Sequence, residues 1–206
     1  MKIAVFVSGG GTNLQAIIDN TKDGILKDVE IVLVLSSSKD AYALERAANN
    51  GIPSVVVSRK DFDSIEAWDD AVVSAVKASG AELVVLAGYL SLLGPKIVSE
   101  YSNRIINIHP ALIPSFCGAG MYGIRPHKAA LAKGVKVSGA TVHFVNENYD
   151  EGPILLQKAV EVLPDDTPES LQKRIMKECE WKLLPEAIRL IADGRVVIEN
   201  NICRIR

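Results

Sequence analysis

The chain has 206 residues, 48% of them apolar and 23% charged, with a formal net charge of −2. That length buries a full core without disulfides or metals, and the near-neutral charge gives no positive field for nucleic acid or an anionic membrane. Cys117, Cys179 and Cys203 are odd in number and widely spaced, against a disulfide framework or structural zinc site and for a reducing, cytoplasmic setting.

Residues 3–7 (IAVFV) form a non-alternating apolar run, expected as a strand buried on both faces. No signal peptide is expected, because this run meets glycines at once, and no apolar stretch approaches the roughly 20 residues of a bilayer span. Helical spacing places Leu14, Ile17 and Ile18 on one face of a helix over 13–20. A second strand over 30–35, a helix over 41–49 ending near Gly51 and a third strand over 54–57 follow. The segment 64–78 carries Trp68, Ala71, Val72 and Val76 on one helical face. Residues 83–87 and 104–108 are further buried strands, with a short helix after Pro95 between them.

Residues 115–126 include Gly118, Gly120 and Gly123 and show little periodicity, so a mobile loop is expected, followed by a short helix over 128–133. The runs 137–144 and 154–162 alternate better, which predicts antiparallel strands at the sheet edge. Thr167 and Pro168 supply an N-cap and a first-turn proline for a helix reaching Asp193 and Gly194, with a break or kink expected at Pro185. Residues 196–199 and 202–205 flank Asn200-Asn201 as a terminal hairpin. Strands alternating with helices give an α/β class: a Rossmann-like, mostly parallel twisted sheet with helices on both faces and antiparallel C-terminal edge strands. Without a linker or repeat, 1–206 reads as one domain.

Ser8-Gly9-Gly10-Gly11-Thr12-Asn13 joins the first strand to the first helix. Glycines there let backbone approach a ligand, and the helix start offers free N–H groups to an anion, with phosphate the expected one. A tight turn without a ligand is the plainer alternative. A dinucleotide fingerprint fits poorly, since Leu14 holds its third glycine position and Ser36-Ser37-Ser38, not an acid, closes the second strand. A Walker loop is excluded by the missing Gly-Lys-Ser/Thr.

Asn107-Ile108-His109-Pro110 closes a strand, and alternation puts Asn107 and His109 on one side, at the end where open α/β sheets bind ligands. His109 is either a packed core histidine or an acid–base group. The polar turn 146–153 holds Asp150 and Glu151, either of which can supply a carboxylate to raise the His109 pKa. His143 reads as packed or hydrogen-bonded and His127 as a surface residue at a helix start. No metal-ligand spacing and no nucleophile elbow occur.

At these residues the chain resembles the folate-dependent formyltransferase family, over nearly its whole length. The resemblance rests on IAVFVSGGGTNLQAI (3–17), LVVLAGYLSLL (83–93), RIINIHPALIPSF (104–116), SGATVHFV (138–145) and DEGPILLQ (150–157). The Asn-x-His-Pro-x-Leu-x-Pro run marks the family at large, and the glycine turn followed by Thr-Asn-Leu-Gln marks its sugar-phosphate branch. The resemblance implies formyl transfer from 10-formyltetrahydrofolate to the amine of 5′-phosphoribosylglycinamide, in purine synthesis, without a metal. It implies catalytic roles for Asn107, His109 and Asp150, phosphate binding by Gly11, Thr12 and Asn13, and ribose binding by Glu180. Leu90, Ser91, Leu92 and Leu93, with Asn107, would hold the folate. Residues 1–100 would then form a phosphate-binding half and 101–206 a catalytic and folate-binding half. Ser91 stands where some members carry arginine, Ile65 where a basic residue is common, and Trp181 where histidine follows the ribose-binding acid.

The partners so implied are small molecules, not nucleic acid or membrane, for a monomer or a homodimer. A tRNA formyltransferase of this family would need an added nucleic-acid-binding domain. A formyltetrahydrofolate hydrolase would carry an N-terminal regulatory domain, not expected where the first strand begins at Ile3. A small phosphate-ligand-binding module, the non-enzyme alternative, would use the glycine turn alone.

Overall fold

Ile3, Ala4, Val5, Phe6 and Val7 are wholly buried in β1 (Lys2–Val7), because β1 pairs in parallel with a strand on each side. The computed structural model describes residues 1–148 and 150–206. They fall into two units, Met1–Ile106 and Asn107–Arg206.

In the first unit β1 is followed by α1 (Thr12–Lys22), β2 (Glu30–Ser36), α2 (Ala43–Asn49), β3 (Ser54–Val56), a 3₁₀ turn (Arg59–Asp61), α3 (Ile65–Ser79), β4 (Leu83–Leu86) and α4 (Pro95–Glu100). β5 (Ile105–His109) begins in this unit. β2 pairs in parallel with β3 as well as β1, and β1 with β4. Parallel pairing gathers the segments after β1, β2 and β4 at one end of these strands. There the Ser8 and Ser37 hydroxyls lie 2.7 Å apart, and Leu90 N–H donates to Ser8 Oγ at 2.8 Å.

The second unit holds α5 (Arg125–Lys133), β6 (Val137–Phe144), β7 (Ile154–Glu161), α6 (Pro168–Ile175), a π-helical turn (Met176–Glu180), α7 (Trp181–Ala192), β8 (Val196–Glu199) and β9 (Ile202–Ile205). The strand order is β3-β2-β1-β4-β5-β6-β7, with β8-β9 as a separate antiparallel pair, so the mostly parallel α/β fold is confirmed. β6 and β7 are antiparallel as expected, but β6 is buried along all but its first residue. The reason is its place inside the sheet order: of these two strands it is β7 that forms an edge, and β7 has exposed positions through its length. Gly139 is required in β6, since a Cβ there would lie 2.0 Å from the Lys158 carbonyl oxygen.

Two expectations need correction. The helix placed at 128–133 starts at Arg125, with Pro126 in its first turn, where proline's fixed φ and missing N–H are favourable. The irregularity expected at Pro185 as a break or kink lies earlier: Pro185 sits inside α7, and the chain widens into the π turn at 176–180. Proline cannot bond the carbonyl four residues back and crowds it, and a π turn just upstream is one way a helix absorbs that conflict. Thr167 and Ser170 cap α6 reciprocally, and Asn200 and Asn201 take the positive φ values of a tight hairpin turn. No helix among the described residues is long and apolar enough to cross a membrane.

A carboxylate sets the start of α4. Asp69 of α3, 1% exposed, accepts from Lys96 N–H at 2.7 Å and Ile97 N–H at 3.2 Å, and Gly94 leaves room for it. Asp69→Ala strands two buried donors and should cost about 2–3 kcal/mol. Urea unfolding of the variant measures that loss.

Candidate active site

The second unit brings Asn107, His109, His143 and Asp150 into one cluster. His109 Nδ1 lies 3.7 Å from Asp150 Oδ2, and His143 Nε2 lies 3.5 Å from Asp150 Oδ1. His109 Nε2 donates to the Phe116 carbonyl at 2.9 Å, which assigns its proton to Nε2 in the neutral ring. His143 Nδ1 likewise donates to the Phe144 carbonyl at 2.9 Å. Its Nε2 is then an acceptor for Asn107 Nδ2–H, at 3.1 Å. This bond orients the Asn107 amide and leaves its second N–H available. A bulge between Val142 and His143, opposite Leu155, shapes the strand at this point.

The chain leaving β5 is fixed by a hydroxyl with no exposed surface. Thr141 Oγ1 donates to the Ala111 carbonyl at 2.7 Å and accepts from Ile113 N–H at 3.1 Å and Gln157 Nε2 at 3.0 Å. Gln157 also donates to the Ile113 carbonyl, and the Ile113–Pro114 bond is cis. Beyond it, Phe116 and Asp150 both hold left-handed φ, +53° in each, a strained choice for side chains with a Cβ. Gly118 N–H donates to Asp150 Oδ2 at 2.8 Å, so the Asp150 carboxylate ties the 115–126 segment to the cluster. Residue 149, within the polar turn, lies outside the described residues.

Burial pushes the His109 pKa down, while the bond to Phe116 and the Asp150 charge push it up, and burial prevails. Asp150 therefore acts in the expected direction without keeping the resting imidazole charged, which corrects the sequence expectation. Burial raises the Asp150 pKa, but the adjoining His143 ring, the bond from Gly118 N–H and the His109 charge together outweigh it, and the carboxyl falls below its usual range. Cys117 is pushed up by burial and by Asp150, so its thiol stays protonated near neutrality. Among the described residues no group of three or more His, Cys, Asp or Glu is placed to hold a metal.

In the first unit the glycine turn ends on Gly11, which precedes α1 with φ +68°. A Cβ there would lie 2.6 Å from Ala43 Cβ, whereas Gly9 and Gly10 face open space. Asn13 is buried in the first turn of α1. Leu90 and Leu92 are exposed, and their segment is anchored at Leu90 N by Ser8 and beyond Gly94 by Asp69. Glu180 is buried in the π turn of the second unit, beside Trp181, whose indole N–H is buried without a hydrogen-bond partner among the described residues.

Sequence reasoning missed the part of His143 in the cluster, and Thr141, Gln157 and Phe116 as supports. The alternation of Thr141 and His143 along β6 was the available signal. His127, expected at the surface, is wholly buried in α5, and neither ring nitrogen has a hydrogen-bond partner among the described residues. The helix begins earlier than expected, which turns this position inward.

Burial, helped by the nearby His109, lowers the His127 pKa from 6.5 to about 4. The unfolded chain then takes up this proton first. Stability is undiminished above pH 6.5 and is lost as pH falls from there through about 4. Guanidinium unfolding across that window should show the decline, and His127→Phe should flatten it.

Comparison with known proteins places these residues among relatives. The family described as "Formyl transferase" matches residues 1–188. A chloroplastic phosphoribosylglycinamide formyltransferase of Arabidopsis thaliana is 44% identical over 198 residues, covering 95% of this chain and 66% of that protein. The trifunctional purine biosynthetic protein adenosine-3 of Drosophila melanogaster is 42% identical over 98% of this chain, which spans 14% of that protein. The chain thus spans less than two thirds of these two relatives. The crystal structure of glycinamide ribonucleotide transformylase 1 from Symbiobacterium toebii superposes with a TM-score of 0.93 at 45% identity, covering 100% of this chain and 93% of that one.

Proposed function

Because the chain belongs to the formyl transferase family, we propose that it moves the formyl group of 10-formyltetrahydrofolate to the amine of 5′-phosphoribosylglycinamide. The products are formylglycinamide ribonucleotide and tetrahydrofolate, in de novo purine synthesis. In this reading 1–206 works as a single formyltransferase domain in the cytoplasm. Two small molecules are its partners, and no metal takes part.

One observation carries the reading: an ionised carboxylate, Asp150, lies beside a neutral His109 whose pKa burial has lowered. A lowered pKa makes the imidazole a usable base near neutrality. His109 takes up on Nδ1, its unprotonated nitrogen, the proton that the attacking amine sheds, and Asp150 beside that nitrogen steadies the imidazolium so formed. The second N–H of Asn107 and the charged His109 then donate to the oxyanion developing on the formyl oxygen. The Phe116 carbonyl holds Nε2 until that oxygen replaces it. His109 finally returns the proton to the departing folate nitrogen.

Gly11, Thr12 and Asn13 bind the substrate phosphate through backbone N–H groups and the start of α1. Glu180 takes the ribose hydroxyls. Leu90, Ser91, Leu92 and Leu93, with Asn107, hold the folate. Binding energy from the phosphate positions the amine.

His109→Ala and Asp150→Asn should each lower kcat about 10²-fold or more with circular dichroism unchanged. Near-normal turnover in both would remove the cluster from the chemistry. An ultraviolet assay of 10-formyltetrahydrofolate loss should show turnover only when phosphoribosylglycinamide is added. Loss without the amine would mark a hydrolase instead, and silence in both a binding module.

A further inference from the structure

Resting on that phosphate reading, we infer that Arg46 of α2 is a positioning residue for the sugar-phosphate substrate, acting through the carbonyls of the glycine turn. Arg46 Nε–H donates to the Gly10 carbonyl at 2.8 Å. Ala43 N–H, at the start of the same helix, donates to the Gly9 carbonyl at 3.0 Å. A planar trans peptide points its C=O and the following N–H in opposite directions. With both carbonyls turned onto α2, the N–H groups of Gly10 and Gly11 point away from it. A Cβ on Gly9 or Gly10 would meet nothing within 4 Å, so the turn has open space beside it. Successive N–H groups aimed at one open place form an anion-binding concavity.

The clamp is itself held. Arg46 Nη1 donates to Gln15 Oε1 of α1 at 3.0 Å, and the guanidinium carbon lies 5.0 Å from the centre of the Tyr42 ring. Gln15 is in turn tied to Asp19 at 2.8 Å. Ala43 closes against Gly11, so the turn is gripped by α2 at Gly9, Gly10 and Gly11. A lysine cannot reproduce this: its compact ammonium lacks the planar fork that meets two acceptors while lying on an aromatic face.

The test is steady-state kinetics with phosphoribosylglycinamide and with its dephosphorylated riboside. Arg46→Met should raise the KM for the phosphorylated substrate about 10-fold or more. It should leave kcat, the KM for 10-formyltetrahydrofolate and kcat/KM for the riboside within about twofold, since a charge-assisted bond to the turn is absent from those terms. Arg46→Lys should stay impaired, and full rescue by lysine would reduce the residue to a point charge and overturn the clamp. An unchanged KM in Arg46→Met, or an equal loss in every parameter, would overturn it too. Should Arg46→Met not fold, Gln15→Leu keeps the question open to refutation: it frees Nη1 and should raise the same KM about threefold, a partial loss of one bond. A wild-type enzyme that uses riboside and phosphate equally well would sink the phosphate reading of the turn, and this inference with it. That result is separable from failure of the Arg46 clamp alone.

Discussion

Two imidazoles buried around a single carboxylate are the constraint on which the second unit is built. A buried charge is tolerable only where bonds to it replace water, and Asp150 receives Gly118 N–H with His143 and His109 close by. Each histidine in turn gives one ring proton to a backbone carbonyl, so its tautomer is decided by main chain and not by solvent. The consequence reaches outward. Phe116 and Asp150 hold left-handed backbone so that one carbonyl and one carboxylate can face the same ring. Such conformations persist only where the surroundings over-determine them, and here the Thr141–Gln157 network fixes the chain between β5 and Phe116.

The proposed phosphate site of the first unit poses a different problem. A turn that is to present N–H groups must first dispose of its carbonyls, whose lone pairs would repel an anion. α2 takes two of them, and α1 takes the third through Gln15 N–H, which donates to the Gly11 carbonyl at 2.9 Å. Gly11 is therefore fixed by two demands at once, a positive φ and the absence of any atom where Ala43 sits. Gly9 and Gly10 meet neither demand and leave space.

Much of this was legible in the sequence because it depends on local pattern. β1 was readable from five apolar residues without alternation, the N-cap of α6 from Thr167 and Pro168, and the hairpin turn from Asn200-Asn201. What escaped depends on contacts between distant residues. His127 could not be read as buried, because its α5 starts with Arg125-Pro126 after a glycine-rich stretch that hides the helical period. The π turn at 176–180 escaped because proline's conflict can be relieved upstream of Pro185, and sequence marks the cause without the place. Arg46 was unremarkable in the sequence, since nothing at position 46 indicates that its fork reaches a carbonyl 36 residues earlier.

The same contrast separates recognition from chemistry in the proposed enzyme. The motif Asn-x-His-Pro identifies the family, yet it does not fix which way protons move. That depends on the balance at His109, where burial outweighs the neighbouring carboxylate. With the carboxylate dominant, the ring would wait as an acid and an incoming amine would find no base. With burial dominant, the ring waits neutral, and Asp150 helps most once the proton has arrived, when there is a charge to stabilise. Differential stabilisation of that kind lowers a barrier, whereas equal stabilisation of both states would only deepen a resting well. The depressed pKa of a histidine beside an ionised aspartate is thus not a conflict in the site but the condition under which the pair can act.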